Sequence, residues 1–341
     1  MTRGNLSPWL LELDEFPVEE TRSARLEYLV NYAVLAPSTH NSQPWRFRVR
    51  GDALELLADR QRALRIADPV DRELTISCGA ALQFARLAAR KFSWEACVEL
   101  MPDPANPDLL ARLRLGAGSS PTKGEVRRFD AIAKRHTNRT RMNSAPSLDD
   151  GLKAVMPLAR HYGIEFASIA DDSARSEIAD LVADADRRLM ADASFRNELA
   201  RWVRSSRSSK HDGMSLSSFG MGDELSALTA FAIRNFEIGG DTAETHRQLV
   251  LDTPVMGLLV SLADDPKSWL RTGMALADIL LELTARGFAC SFANQPLEVA
   301  ALRPRAAQLF QTSGFAQMLV RIGCAEEVPA AARRCACQVL E

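Results

Sequence analysis

The sequence predicts an α+β protein made of two related halves within one chain. Hydrophobic residues recur at helical spacing in some segments and at strand spacing in others along its 341 residues. An alanine-rich helix pattern occurs twice, opening at residues 79–82 and again, 194 positions later, at residues 273–276. A segment rich in Pro, Gly, Asp and Ser at 102–124 lies between them and indicates a connection. We therefore expect halves at 1–124 and 125–341, packed as a pseudo-dimer with a ligand at their interface.

The first half is predicted to alternate helices with strands. Gly51-Asp52 has the composition of a two-residue hairpin turn between two alternating segments. The predicted elements are a helix at 22–35, strands at 45–50 and 53–58, a helix at 75–91 and a strand at 96–101.

The second half is predicted to follow a similar order and to carry an insertion near 195–225. Arginines and a lysine recur at every third position from Arg201 to Lys210, followed by a Ser/Gly run. This pattern fits a solvated helix face or, alternatively, a mobile lid over an anionic ligand. The other predicted elements are helices at 129–134, 173–191 and 273–286 and strands at 163–169, 255–262 and 318–322.

Composition excludes several classes of protein. The net charge of −2 leaves no basic surplus for nucleic acid, and no apolar run approaches the roughly 20 residues of a membrane span. The N-terminal residues do not resemble a signal peptide, so we expect a cytoplasmic protein. All six cysteines, including Cys335 and Cys337, are expected to be free thiols. The five histidines lack metal-ligand spacing, so no metal is expected.

The segment at 36–47, APSTHNSQPWRF, is the candidate binding loop, and we call it the polar loop. It offers the hydroxyl of Ser38 and the amides of Asn41 and Gln43 between Pro37 and Pro44, which restrict the backbone. Such groups suit the carbonyls and ring nitrogens of a flat heterocycle. The alternative is an ordinary helix-to-strand connection.

Two further segments carry clustered arginines. Arg135, Thr137 and Arg139 alternate after a helix pattern, so an extended backbone would point them to one side. Two guanidinium groups and a hydroxyl there would suit a phosphate, because arginine presents forked donors. The pair Arg333-Arg334 would join them if the C-terminal segment returns to the same phosphate; otherwise both are surface charge.

Taken together, these segments resemble the nitroreductase family of FMN-dependent oxidoreductases. The polar loop resembles the family's A-P-S-x-x-N-x-Q-P-W loop, and residues 131–139 are similar to its arginine-rich opening motif, with His136 in place of an arginine. Residues 287–296 resemble the glycine-bearing turn after the last long helix. Because each motif occurs once, the chain resembles the twinned, single-chain Acg-like branch, which implies one FMN per chain instead of two at a symmetric interface.

The resemblance implies roles for individual residues. Arg135, Thr137, Arg139 and Arg334 would hold the FMN phosphate. Pro37, Ser38 and Asn41 would line the isoalloxazine ring, with Gln43 nearby. Asn294 and Gln295 would lie near flavin N5, where the family usually has an acidic residue and a glycine. No side chain is expected to act as an obligatory acid or base, because the flavin performs the redox chemistry.

Three functions remain open from the sequence. The first is NAD(P)H-dependent reduction of a nitroaromatic, quinone or similar small-molecule acceptor, by a monomer or homodimer. The second is sequestration or storage of FMN beneath a lid formed by residues 200–222. The third is a flavin-free structural or regulatory role.

Overall fold

The computed structural model of the chain describes residues 7–10, 16–17, 21–205, 208–215, 233 and 239–341. It confirms an α+β protein. The first half contains helix α1 (Arg22–Ala33), strands β1 (Trp45–Arg50) and β2 (Ala53–Ala58), helix α2 (Arg72–Lys91), and strands β3 (Trp94–Leu100) and β4 (Leu109–Gly118).

The second half contains the remaining elements. They are α3 (Lys123–Asp130), α4 (Leu148–His161), β5 (Ile164–Ile169), α5 (Asp172–Ala191), α6 (Ala193–Trp202), β6 (Val203–Arg204), β7 (Met214–Ser215), α7 (Gly239–Leu251), β8 (Val255–Ser261), α8 (Pro266–Ala285), β9 (Ala289–Phe292), α9 (Gln295–Glu298), α10 (Arg303–Leu309) and β10 (Phe315–Gly323). Among the helices described here, none combines the length and the apolar character needed to cross a bilayer.

The two halves have four-stranded antiparallel sheets of the same topology. The strand order is β1-β2-β4-β3 in the first sheet and β5-β8-β10-β9 in the second. In each half, a 20-residue helix, α2 or α8, connects the second strand in sequence to the edge strand at the far end of the sheet. The edge strands β3 and β9 therefore occupy equivalent places.

The predicted hairpin is confirmed residue for residue. Trp45 pairs with Ala58 and Arg50 with Ala53, and Gly51 takes the positive φ of 61° that this tight turn requires. Trp45 and Phe47 are fully buried on one face of β1. The alternation of the sequence thus places this face of the sheet against the core.

The predicted connection at 102–124 is wrong for its central part. Residues Leu109–Gly118 form β4, which pairs with β2 on one side and with β3 on the other. Its Ala111, Leu113 and Leu115 are buried and alternate with arginines that lie nearer the solvent. The Pro and Gly residues around β4 form turns, and the strand between them completes the first sheet.

Helices α2 and α8 pack backbone to backbone through the two repeated glycines. A Cβ atom on Gly79 would lie 2.3 Å from the main-chain oxygen of Leu270, and one on Gly273 would lie 2.0 Å from that of Ile76. Gly79 therefore contacts the residue three positions before Gly273, and Gly273 contacts the residue three positions before Gly79. Such reciprocity is the property of a two-fold interface, here within a single chain.

The C-terminal segment leaves β10 of the second half and pairs with the first half. The Phe47 amide of β1 donates to the Val339 carbonyl oxygen at 2.7 Å, and the Glu341 amide donates to the Phe47 carbonyl oxygen at 2.8 Å. Residues 324–338, between β10 and this pairing, are thereby drawn across the interface between the halves.

Candidate functional site

The polar loop has an unusual backbone. His40, Asn41 and Gln43 all have positive φ values, of 51°, 54° and 51°. Each left-handed non-glycine residue costs on the order of 1 kcal/mol or more, so surrounding contacts must hold the loop. One is local, since the Gln43 amide donates to Ser38 Oγ at 2.9 Å. Pro37 is buried, whereas Ser38 is half-buried at the same end of the loop.

The side-chain amide of Asn41 joins three parts of the chain. Its Nδ2 donates to the carbonyl oxygens of Gly213 at 2.9 Å and Ala332 at 3.0 Å. Its Oδ1 accepts from Nη1 of Arg333 at 2.7 Å. The amide is therefore fully engaged with the protein.

Gln43 has the same role and is completely buried. Its Nε2 donates to the His211 carbonyl oxygen at 2.8 Å, and its Oε1 accepts from the Arg334 amide at 2.9 Å. The sequence suggested that these two side-chain amides bind a heterocycle. In the structure they instead form hydrogen bonds that join the polar loop to the C-terminal segment and to residues 211–213.

Residues 208–215, which we call the closing segment, contact the polar loop through His211 and Gly213. The Gly213 amide donates to the Asn41 carbonyl oxygen at 3.1 Å. The Asp212 carboxylate binds Arg62 and Arg204, and the pKa of Asp212 is lowered despite its burial because of these arginines. The segment is part of the predicted lid at 195–225, of which residues 206–207 and 216–225 lie outside the described part of the chain.

The segment of Arg135, Thr137 and Arg139 is extended and runs beside β9. Thr137 forms a parallel bridge with Cys290, and the Asn138 amide donates to the Cys290 carbonyl oxygen at 2.9 Å. As predicted, the helix ends before this segment. The pairing with β9 places Arg135 in the interior, with 3% of its surface exposed.

Arg135, Arg139 and Arg333 form a cluster of cations, which we call the arginine cluster; Arg135 and Arg333 are buried, and Arg139 is half-buried. Burial lowers the pKa of Arg135 and of Arg139 to about 10. Burial, together with repulsion from the other two, lowers the pKa of Arg333 to about 9. Within the described ranges, neither Arg135 nor Arg333 forms an ion pair with a carboxylate, and the Nε atom of each is buried without a hydrogen-bond partner.

Two histidines and a tryptophan surround the arginine cluster. Burial, and then the nearby arginines, lower the pKa of His40 and of His136 to about 4, so both are neutral at pH 7. The Trp9 ring lies 4.7 Å from the His136 ring and 5.1 Å from the Arg333 guanidinium carbon. Sequence reasoning missed Trp9 and His40. His40 lies inside the polar loop, whereas nothing near Trp9 in the sequence indicated its role.

Arg334 lies apart from the arginine cluster. Its guanidinium donates to the main-chain oxygens of Gln43 at 3.2 Å and Gln338 at 2.6 Å and lies 3.9 Å from the Asp59 carboxylate. The structure therefore places Arg333, not Arg334, beside Arg135 and Arg139.

The next residues correct the expectation that all cysteines are free. Cys335 and Cys337 form a disulfide, because the turn at 335–338 brings their Cα atoms within 5.3 Å. The other four cysteines are free thiols, as predicted.

Asn294 and Gln295 lie two and three residues after the end of β9, at the start of α9. Asn294 Oδ1 accepts from the Leu319 amide at 2.9 Å, which fixes the start of α9 on β10. Gln295 Nε2 lies 3.1 Å from His246 Nδ1, and its Oε1 is buried without a partner among the described residues. Gln295 thus has an acceptor that a ligand could use.

A group of carboxyls lies near Thr39 of the polar loop. Thr39 Oγ1 donates to Glu73 Oε2 at 2.7 Å, and Glu73 pairs with Arg72 at 2.8 Å. Burial and neighbouring carboxylates raise the pKa of Asp68 to about 7 and hold that of Glu298 well above its usual range. Glu298 therefore favours its protonated form at pH 7, whereas Asp68 is close to the midpoint of its titration.

The polar loop, the arginine cluster and the connection after β9 thus define a polar site at the interface of two α+β halves. No protein-family model matches the chain. It is 31% identical over 331 residues to the Mycobacterium tuberculosis H37Rv protein named "Putative NAD(P)H nitroreductase Rv3131", covering 96% of this chain and 92% of that one. It is 30% identical over 309 residues to "Putative NAD(P)H nitroreductase acg" of the same organism, covering 89% and 92%. The chain belongs to this nitroreductase family.

Solved structures give a weaker likeness. An FMN-dependent nitroreductase NfnB from Mycobacterium smegmatis, solved in complex with NADPH, is 16% identical with a TM-score of 0.37, covering 61% of this chain and 95% of that one. An iodotyrosine deiodinase bound to FMN and 3-iodo-L-tyrosine is 13% identical with a TM-score of 0.40, covering 61% and 94%.

Proposed function

We propose that the chain binds one FMN between its two halves and uses it to transfer electrons from NAD(P)H to a nitroaromatic, a quinone or a similar acceptor. Membership of the nitroreductase family supports this reaction class. The bound FMN would supply the hydride transfer, while the protein binds, orients and shields it.

The observation that carries the proposal is the arginine cluster. Burying a cation without a counter-ion is costly, and Arg135 and Arg333, which have no carboxylate partner among the described residues, are both buried. The Arg139 guanidinium lies close enough to Arg333 to add to this positive charge. A phosphate dianion would neutralise most of that charge and accept from Nε of Arg135 and of Arg333, which are unpaired among the described residues. We assign the FMN phosphate to Arg135, Thr137, Arg139 and Arg333, so Arg333 replaces Arg334 in this role.

The isoalloxazine ring is assigned to the space between the polar loop and the connection after β9. Pro37 and Ser38 would line one side, and Asn294 and Gln295 the other, with the free Gln295 oxygen facing the ligand. Asn41 and Gln43 would act indirectly, by holding the closing segment and the C-terminal segment around the site. Substitution of Asn41 or Gln43 would therefore weaken the contacts that hold these two segments, without removing a group that touches the flavin.

A second candidate function is sequestration of FMN with little turnover. The closing segment favours it, because residues 211–213 are hydrogen-bonded to the polar loop and Asp212 is held by two arginines. A segment anchored in this way would limit the access of an acceptor to the flavin.

The first test is the flavin spectrum of the purified protein with its stoichiometry. One FMN per chain is expected; two per chain would contradict a single site, and none would favour the flavin-free alternative. Anaerobic addition of NADPH then separates the two candidates. Bleaching of the flavin supports the reductase, whereas a flavin that stays oxidised favours sequestration.

The site assignment is tested by Arg135→Ala combined with Arg139→Ala. This variant is expected to fold and to lose FMN. The matched control is Arg160→Ala with Arg305→Ala, which removes two exposed arginines and should leave one FMN per chain. Retention of stoichiometric FMN by the first variant would refute the phosphate assignment.

We also propose that the halves, with a boundary at residues 124–125, arose by duplication within one chain. The equal strand orders and the reciprocal contact of the two glycines support this origin.

A further inference from the structure

A cavity of about 490 Å³ lies at the interface of the halves, away from the polar loop. Its walls come from β3 and α2 of the first half and from α8 and the α4–β5 connection of the second. The function proposed above does not use it.

The cavity occupies the two-fold counterpart of the proposed flavin site. That site lies between β9 of the second half and the α1–β1 connection of the first half. The cavity lies between β3 of the first half and the α4–β5 connection of the second half, and β3 and β9 are equivalent edge strands. The α1–β1 connection, which carries most of the polar loop, spans residues 34–44, whereas its counterpart is only Tyr162-Gly163.

The rim of the cavity is cationic. Arg86 Nη1 donates to the Tyr162 hydroxyl oxygen at 3.2 Å, and Arg271 is exposed at the mouth without an ion pair in the described part of the chain. The buried carboxylate of Asp278, next to the Tyr162 side chain, accepts from the Tyr162 hydroxyl at 2.9 Å and pairs with Arg128 at 3.1 Å. Its charge is thus already compensated, and the rim retains a positive surplus.

The floor of the cavity is apolar. Ala96, Val98 and Leu100 are alternate residues of β3 that face it, and Met274 of α8 lies against them. Ala96 and Met274 are buried. A flat apolar body would remove this floor from water, while an attached anionic group would reach the two guanidinium groups.

We propose that this cavity binds a small organic anion with a flat apolar body, the class exemplified by aromatic carboxylates. It is a second ligand site, distinct from the proposed flavin site. It rests on the two-fold arrangement and the cavity lining, and it holds whether or not the protein turns over a flavin.

The test is a calorimetric titration of the full-length purified protein with 2-naphthoate. The neutral 2-naphthamide is expected to bind at least about tenfold more weakly, because it lacks the charge that the arginines recognise. Two variants probe the cavity: Arg86→Gln with Arg271→Gln removes the rim charge, and Val98→Trp fills the floor at a half-buried strand position. Each is expected to weaken naphthoate binding at least about tenfold.

Two comparisons keep the proposal separate from the flavin site. Arg160→Gln with Arg305→Gln is the charge-matched control and should bind naphthoate normally. Arg135→Ala with Arg139→Ala, which should lose FMN, is also expected to bind it normally. Loss of binding in that variant, or normal binding in the Val98→Trp protein, would overturn the proposal. Equal binding of naphthoate and naphthamide would overturn the role of the arginines.

Discussion

Replacing Arg135 by methionine is expected to make the flavin-free protein more stable while it abolishes tight FMN binding. Arg135 is 3% exposed, and burial lowers its pKa well below the usual value for arginine, to about 10. That shift corresponds to a cost of about 3 kcal/mol for keeping the guanidinium charged in the folded protein at pH 7. Methionine keeps an unbranched side chain and removes the charge.

Part of this gain is offset by lost contacts, so the free energy of unfolding should rise by about 1–3 kcal/mol. The measurement is denaturant unfolding of the flavin-free protein at pH 7, followed by circular dichroism. FMN affinity is measured on the same preparation by quenching of flavin fluorescence.

The control is Arg90→Met, since Arg90 is also buried but is paired. Its guanidinium donates to Glu125 at 3.0 Å and to the Ser120 carbonyl oxygen at 2.9 Å. Removing the Arg90 guanidinium leaves the Glu125 carboxylate without this partner and should lower the free energy of unfolding by about 3 kcal/mol. If Arg135→Met destabilised the flavin-free protein as Arg90→Met does, Arg135 would be a structural cation, and the argument from the arginine cluster would be wrong.

Three further variants test other parts of the structure. Gly273→Ala forces a Cβ atom against the main-chain oxygen of Ile76 and should lower the free energy of unfolding by about 3 kcal/mol. The control Gly240→Ala meets nothing within 4 Å and should change it by less than about 1 kcal/mol. Glu298→Gln should raise the melting temperature at pH 8 and leave it unchanged at pH 4, because the raised pKa of Glu298 makes its contribution fall as pH increases. Gly213→Ala, with φ of 80° and a main-chain oxygen 2.5 Å from the new Cβ, should detach the closing segment and accelerate FMN dissociation.

Each of these has a clear contrary result. Equal stability of the two glycine variants would contradict the backbone contact between α2 and α8. A pH-independent effect of Glu298→Gln would contradict its protonated state. An unchanged FMN dissociation rate in the Gly213 variant would show that the closing segment does not retain the cofactor.

The sequence predicted elements whose determinants are local. The hairpin at 45–58 was predicted to the residue because alternation and a glycine turn lie within fourteen consecutive positions. Strand β4 was missed although Ala111, Leu113 and Leu115 alternate with arginines, because the surrounding Pro and Gly residues dominated the interpretation. Helix α4 was also missed, since Gly151 and Pro157 weaken its helical pattern.

The candidate site was predictable in its parts and less so in its geometry. The polar loop and Arg135 could be selected because their residue types suit a ligand. The choice between Arg333 and Arg334 depends on the path of the C-terminal segment, which its pairing with β1 determines at long range. For the same reason, the sequence could not show that the amide of Asn41 faces the protein.

The reciprocal contact of Gly79 and Gly273 has a consequence for how such a protein can change. In a homodimer every substitution appears in both copies, so a connection cannot be shortened on one side of the two-fold axis alone. Here the two sides are encoded separately, and the polar loop on one side corresponds to the short Tyr162-Gly163 connection on the other. The helices and sheets can therefore keep their two-fold symmetry while the two sites at the interface change independently of each other.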